Sequence, residues 1–304
     1  MSEGVVDGRV VVVTGAGNGI GRAHALAFAA HGAKVVVNDL GGARDGGGEA
    51  SAGPAQTVVD EIVAAGGEAV ANTDDISAWD GAGRLVRQAV DTYGGLDVLV
   101  NNAGILRDRM IVSMTERDWD SVIAVHLKGS FATLHHAAAY WRERAKCGHD
   151  NDARVINTTS PSGIFGNPGQ SNYGSAKAGI ASLTVIAAAE LARYGVTVNA
   201  IAPTALTRLT EDIEMMRQAA EAQDLTPEAI SPLVVWLGSA ASREVTGRVF
   251  GVVGNRITVL EGWVNGPGAS AESRWTPEEL TSVVPNLVAK AAPNADALGN
   301  RNGA

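Results

Sequence analysis

Apolar and polar residues alternate along this chain in two rhythms. Short continuous runs of β-branched residues, Val10-Val-Val-Val-Thr14 foremost, have the length and composition of strands buried on both faces. Between them lie longer stretches whose apolar positions recur every three to four residues, as on a helix with one buried face. The first rhythm predicts strands over residues 9–14, 33–39, 68–73, 96–101, 153–159, 196–201 and 248–260. The second predicts helices near 20–31, 54–65, 77–93, 115–146, 172–194 and 226–240. This alternation implies right-handed crossovers and one α/β domain: a doubly wound parallel sheet of about seven strands flanked by helices. Ligands bind such sheets at the carboxyl ends of the strands, where the strand order reverses.

Two segments break the rhythm. Residues 41–53 form a glycine-rich loop directly after the second strand, either a flap over a ligand or a plain linker. From Gly266 onward, Pro267, Pro277, Pro285 and Pro293 punctuate short helical pieces, and the last dozen residues have a disordered composition. Trp263 and Trp275 predict that the first part of this tail docks.

Composition narrows the function classes. A formal charge of −9 over 304 residues, with no compensating basic stripe, argues against nucleic acid as a partner. A single cysteine, Cys147, leaves neither a disulfide framework nor a cysteine metal cluster, and no metal is expected. No stretch approaches eighteen uninterrupted apolar residues, and the N-terminus lacks a basic region followed by an apolar core. The expectation is a cytoplasmic protein without a membrane span.

The candidate chemistry sits at strand ends. Thr14-Gly-Ala-Gly-Asn-Gly-Ile-Gly21 joins the first strand to the first helix, with glycines at 15, 19 and 21. There the missing side chains let backbone amides approach a pyrophosphate at the positive end of the helix. The next strand ends at Asp39, about twenty residues past the last glycine, where a carboxylate can accept from an adenosine ribose. Asp39 would repel a 2′-phosphate, which favours NAD over NADP; Arg22 and Arg44 are the residues able to answer such a phosphate. Asp75-Ile76 and Asn101-Asn-Ala-Gly104 follow the third and fourth strands on the same edge, readable as cofactor contacts or as ordinary turn residues. Tyr173 and Lys177 stand four apart on one predicted helix face, and Ser160 lies thirteen residues upstream. A nearby cation lowers a phenol's pKa and a serine hydroxyl can hold a reacting oxygen, so the three read as a proton-transfer site.

The glycine turn, Asn101-Asn-Ala-Gly104, Ser160, Tyr173-x-x-x-Lys177 and Pro203 together, in this order and spacing, resemble the short-chain dehydrogenase/reductase family over about residues 7–265. Asn38-Asp-Leu-Gly-Gly42, Gly104-Ile-Leu-Arg-Asp-Arg109, Val125-His-Leu-Lys-Gly-Ser-Phe131 and Ser162-Gly-Ile-Phe-Gly-Asn167 resemble one branch of it. That branch holds the (3R)-hydroxyacyl-CoA dehydrogenase domain of the peroxisomal multifunctional, or D-bifunctional, protein and related bacterial enzymes. The resemblance implies a Rossmann-type domain over residues 1–265, including the substrate site, and a partly docked C-terminal extension over 266–304. It implies that Tyr173 is the general acid and base, that Lys177 binds the nicotinamide ribose and lowers the tyrosine's pKa, and that Ser160 holds the substrate oxygen. Gly15, Asn18, Gly19, Ile20, Gly21, Asp39, Asp75, Ile76, Asn102, Ala103 and Gly104 would surround NAD together with Tyr173 and Lys177. A homodimer or homotetramer through the helices of 115–146 and 172–194 is also implied.

This chain departs from the family pattern at two places. His126 stands where many members have Asn, readable as a helix-packing residue or as a proton shuttle. Pro203-Thr204-Ala205 replaces the common Pro-Gly, with Thr207 placed to reach the carboxamide.

Three functions fit: an NAD-dependent dehydrogenase of a 3-hydroxyacyl-CoA or steroid-derived CoA ester, a dehydrogenase of a free hydroxysteroid or other apolar alcohol, and a noncatalytic NAD-binding sensor. Arg107, Arg109 and Arg208 are the candidate anchors for CoA phosphates.

Overall fold

The computed structural model describes residues 4–42, 45–47, 51–206, 224–296 and 299–301. Arg44, Thr207 and Arg208, along with most of 205–225, lie outside the described residues.

The described strands form one eight-stranded sheet. In chain order they are β1 (Val10–Thr14), β2 (Lys34–Asn38), β3 (Glu68–Asn72), β4 (Val98–Asn101), β5 (Ala153–Thr158), β6 (Val196–Thr204), β7 (Val249–Val253) and β8 (Arg256–Leu260). Their spatial order is β3-β2-β1-β4-β5-β6-β7-β8, parallel as far as β7. The order reverses between β1 and β4, as expected of a doubly wound sheet, and the site lies at that crevice. The predicted strand over 248–260 is instead two: β7 and β8 pair antiparallel, with Val253 opposite Arg256. Gly254 at φ +55° allows the reversal, because a left-handed value at the first central position suits a two-residue hairpin.

The helices that position the site are α1 (Gly19–Ala30), α2 (Gly53–Ala64), α3 (Trp79–Tyr93), α4 (Glu116–Ile123), α5 (Gly129–Lys146), α6 (Pro161–Ile164) and α7 (Ser171–Leu191). The helix predicted over 115–146 is α4 and α5 joined by a π turn, Ala124–Lys128. It begins at a capping box in which Thr115 and Asp118 satisfy each other's backbone amides.

Alternate residues of β1 serve opposite faces. Val11 and Val13 join Phe28, Val58 and Ile62 beneath α1 and α2, while Val10 and Val12 join Leu85, Leu134 and Trp141 beneath α3 and α5. A continuous valine run is stable here because both faces are covered, each side chain contributing about 1.5–3 kcal/mol on burial.

By length and composition the run Ser171–Tyr194 would cross a membrane, with a mean hydropathy of 1.3. Its buried residues, Asn172, Ala176, Lys177, Ile180, Thr184, Ala187, Ala188 and Leu191, follow the helical period, the pattern of a helix laid against a sheet.

In the tail, Pro277 does not interrupt a helix but opens one, Pro277–Lys290, behind the Thr276–Glu279 capping box, and Pro285 lies inside it. A proline at the first helical position loses no hydrogen bond, which is why it marks a start. None of this helix's residues is buried, and Trp263 is fully exposed on the single chain rather than docked against it. Asp296 and Asn300 close a turn beyond it, and Gly299 presses on the Phe165 ring.

Candidate active site at the carboxyl edge of the sheet

The turn after β1 is built by exclusion of side chains. Gly15 and Gly19 take φ +63° and +53°. A Cβ on Gly15 would stand 2.6 Å from Ala103 Cα, and one on Gly21 would overlap the Gly15 carbonyl. At Asn18, the N-cap of α1, no side chain caps the helix, so its first amides and its positive dipole end face the crevice. Asp39, at the end of β2, accepts from Gly17 N with one oxygen and from Gly41 N with the other, both at 2.8 Å. Backbone amides around a turn free of side chains, at the start of a helix, suit dinucleotide phosphates, the group the sequence implies.

Hydrogen bonds weld this turn to the one after β4. Thr14 Oγ1 accepts from Asn102 N at 3.0 Å and Ala103 N at 3.1 Å, while Asn102 Nδ2 donates to the carbonyls of Thr14 and Gly15. Asn101 is buried, receiving Thr133 Oγ1 at 2.6 Å and donating to Asn157 Oδ1 at 3.0 Å. The side chain of Asn102 is thus spent on shaping the crevice wall. The Asp75 side chain caps its own turn through Ser77, and Ile76 is buried against Gly129. Both bonds from Ser77 use one carboxylate oxygen of Asp75.

The remaining candidates converge from β5 and α7. Ser160 is the N-cap of α6, with its Oγ accepting from Ser162 N at 3.2 Å. Gly163 lets α6 press on α7: a Cβ there would stand 2.6 Å from Ala178 N. That approach brings the Ser160 hydroxyl beside Tyr173, near enough to favour the ionised phenol. One turn on, Lys177 is buried, its Nζ donating to Thr158 O at 2.6 Å and lying 5.6 Å from the Tyr173 ring centre. Thr159 Oγ1 returns a bond to Lys177 O at 2.6 Å.

Burial dominates the electrostatics. It pulls the Lys177 ammonium down to about 7. It pushes the Tyr173 phenol up, with the Ser160 hydroxyl opposing and the Asp108 carboxylate adding to the rise. The phenol is thus shifted opposite to the direction expected from Lys177, whose ammonium is drawn to the Thr158 carbonyl.

Several contributors escaped the sequence reading. Gly17 and Thr14 lie within the recognised turn, but nothing marked their partners. Asn172 ties the site together by receiving Tyr173 N and donating to the Arg107 and Asp118 carbonyls. Its position beside Tyr173 was the only signal. Arg107, a candidate phosphate anchor, instead pairs with Asp118 at 3.6 Å, both side chains 15% exposed. Arg109 stays exposed, bonded to the carbonyl of Asp108.

The sequence matches the short chain dehydrogenase family over residues 9–219. The hydroxyacyl-CoA dehydrogenase ChsB1 of Mycobacterium tuberculosis is 44% identical over 302 residues, covering 95% of this chain and 91% of that protein. The peroxisomal multifunctional enzyme type 2 of Mus musculus is 45% identical over 277 residues, covering 90% of this chain but 36% of that longer protein. Among solved structures, a short chain dehydrogenase from Mycobacterium avium superposes with a TM-score of 0.87 at 58% identity, covering 96% of this chain and 99% of that one. With the crevice, the glycine turn and the whole domain matched in this way, the chain is an oxidoreductase of the short-chain dehydrogenase/reductase family, whose members generally work with NAD or NADP.

Proposed function

We propose that this protein is an NAD-dependent dehydrogenase that interconverts a secondary alcohol and a ketone on a 3-hydroxyacyl-CoA or a steroid-derived CoA ester. The observation that carries the reaction type is the convergence of Ser160, Tyr173 and Lys177 beside the glycine turn. When bound, the nicotinamide supplies the hydride chemistry. Tyr173 accepts the alcohol proton on its phenolic oxygen during oxidation and returns it during reduction, while the Ser160 hydroxyl holds the reacting oxygen. Lys177, anchored by Thr158, is the cation nearest the ribose position. No metal enters this scheme, since the two hydroxyls polarise the substrate.

Asp39 supports NAD, since a carboxylate at the end of β2 accepts from a ribose hydroxyl and repels a 2′-phosphate. Gly15, Asn18, Gly19, Ile20 and Gly21 form the phosphate side of the cradle, and Asn102, Ala103 and Gly104 form the nicotinamide side. The CoA ester is supported by the hydroxyacyl-CoA dehydrogenase relative. With Arg107 engaged, Arg109 is the described arginine left to meet CoA phosphates. Exposed Trp119 and Phe131 on α4 and α5, with Val185 and Ile186 on α7, support a homodimer or homotetramer through these helices. A cytoplasmic setting suits a chain with one exposed thiol.

The test is NADH formation at 340 nm from NAD or NADP with 3R- and 3S-hydroxyacyl-CoAs and free hydroxysteroids, with Tyr173→Phe as control. Turnover of an acyl-CoA with NAD, lost in Tyr173→Phe, is expected. Turnover of free steroids alone would transfer the reading to an apolar alcohol, and NAD binding without turnover to a sensor.

A further inference from the structure

His126 occupies the π turn between α4 and α5, 2% exposed. Its Nε2 lies 2.8 Å from Ile105 O and 3.0 Å from Ile105 N, and its Nδ1 is buried without a partner. Either neutral tautomer ties the ring to the Ile105 backbone. With the proton on Nε2 the ring donates to Ile105 O; with the proton on Nδ1, the bare Nε2 accepts the Ile105 N–H. The imidazole also fills the space a side chain at 104 would need, since a Cβ on Gly104 would overlap its Cε1. On its other side the ring stands edge-on to the Tyr173 ring, centres 5.2 Å apart and planes at 90°.

One side chain therefore touches both halves of the site: the turn after β4 and the proton-transfer tyrosine. We infer that His126 is a positioning residue that stays neutral and sets the distance between the Asn101–Ile105 turn and the Tyr173 ring, rather than carrying protons itself. The wider π turn makes this possible by placing a full imidazole, with both a hydrogen-bonding edge and a ring edge, between two segments in contact with it. The titratable neighbours that face it are Tyr173 and Lys177 on α7. Burial and the Lys177 charge hold the imidazole's pKa down to about 3, in keeping with a group that does not titrate near neutrality.

The inference rests on Tyr173 being the proton-transfer group. It is tested first in the wild-type protein without substrate, by nitrogen NMR of the histidine rings between pH 5 and 8. A neutral His126 throughout is expected; conversion of this ring to imidazolium within that range overturns the inference. Kinetics with a 3R-hydroxyacyl-CoA and NAD then compare His126→Gln, which keeps an amide for Ile105 O, with His126→Phe, which keeps the ring edge against Tyr173. Each is expected to lower kcat roughly ten- to a hundredfold, with KM for NAD changed less and the pH profile unshifted. Wild-type kcat in both variants, or a limb of the profile lost with the imidazole, overturns it. Gly104→Ala displaces the ring from the other side and should reproduce the kcat loss if the His126 variants fold poorly; wild-type kcat there overturns the inference too. Failure of the substrate reading would show as no turnover in wild type, leaving the NMR measurement to decide.

Discussion

The carboxylate of Asp39 accepts the Gly17 amide at 2.8 Å across twenty-two residues of chain, bracing the glycine turn with the group proposed to meet the ribose. Its second oxygen holds Gly41. On the function proposed above, one side chain braces the turn and sets the choice of cofactor. Asp39→Asn keeps acceptor and size but removes the charge that opposes a 2′-phosphate. The ratio of kcat/KM for NAD over NADP should fall by about tenfold or more, measured at 340 nm; an unchanged ratio would mean the preference is set elsewhere.

Gly163→Ala tests whether α6 must press on α7. The added methyl meets the backbone of Ala178 and Lys177, which cannot swing aside as a side-chain tip can. Ser160 should move off Tyr173, with kcat down roughly a hundredfold and stability down about 1–3 kcal/mol by urea unfolding.

Lys177→Met should cost activity and raise stability, by an amount that depends on pH. Burial lowers the folded lysine from its ordinary 10.5 to about 7, so the unfolded chain holds the proton more tightly between those values. Wild-type stability is penalised in full below about pH 7 and recovers as pH rises toward 10.5. The melting temperature of Lys177→Met relative to wild type should accordingly be higher at pH 6 than at pH 9.5. Equal differences at both pH values would contradict the buried-ammonium account.

His24 gives a slope of the same sign in a more acidic window. It is fully buried on α1, its Nδ1 2.9 Å from Ser231 Oγ, and burial lowers its pKa from 6.5 to about 3. The unfolded chain takes up this proton first, so the stability it supports is complete above pH 6.5 and is lost as pH falls toward 3. Between pH 6 and 4.5, His24→Gln should remove about one proton's worth of the acid slope, roughly 1.4 kcal/mol per pH unit. A slope unchanged by the substitution would place the acid sensitivity elsewhere.

Much of this molecule was legible along the chain because the deciding contacts are local. The run Val10 to Thr14 can be stable only when covered on both faces, and glycines at 15, 19 and 21 can serve only a turn that side chains would block. Four-residue spacing alone puts Tyr173 and Lys177 on one helix face. What packing decided lies between residues distant in sequence. Whether 248–260 is one strand or a hairpin depended on β8 finding the free edge of β7. Whether Arg107 faces a substrate depended on Asp118 lying within reach, and whether Trp263 docks depended on what surrounds it. The direction in which Tyr173 is shifted was equally hidden, since spacing brings Lys177 near the phenol but only the fold shows how deeply both are buried and that Thr158 holds the ammonium. Local geometry repeats along a chain and leaves a periodic trace in the residues; a contact such as His126 on Ile105 joins segments that meet only when the sheet and helices close, and it leaves no such trace.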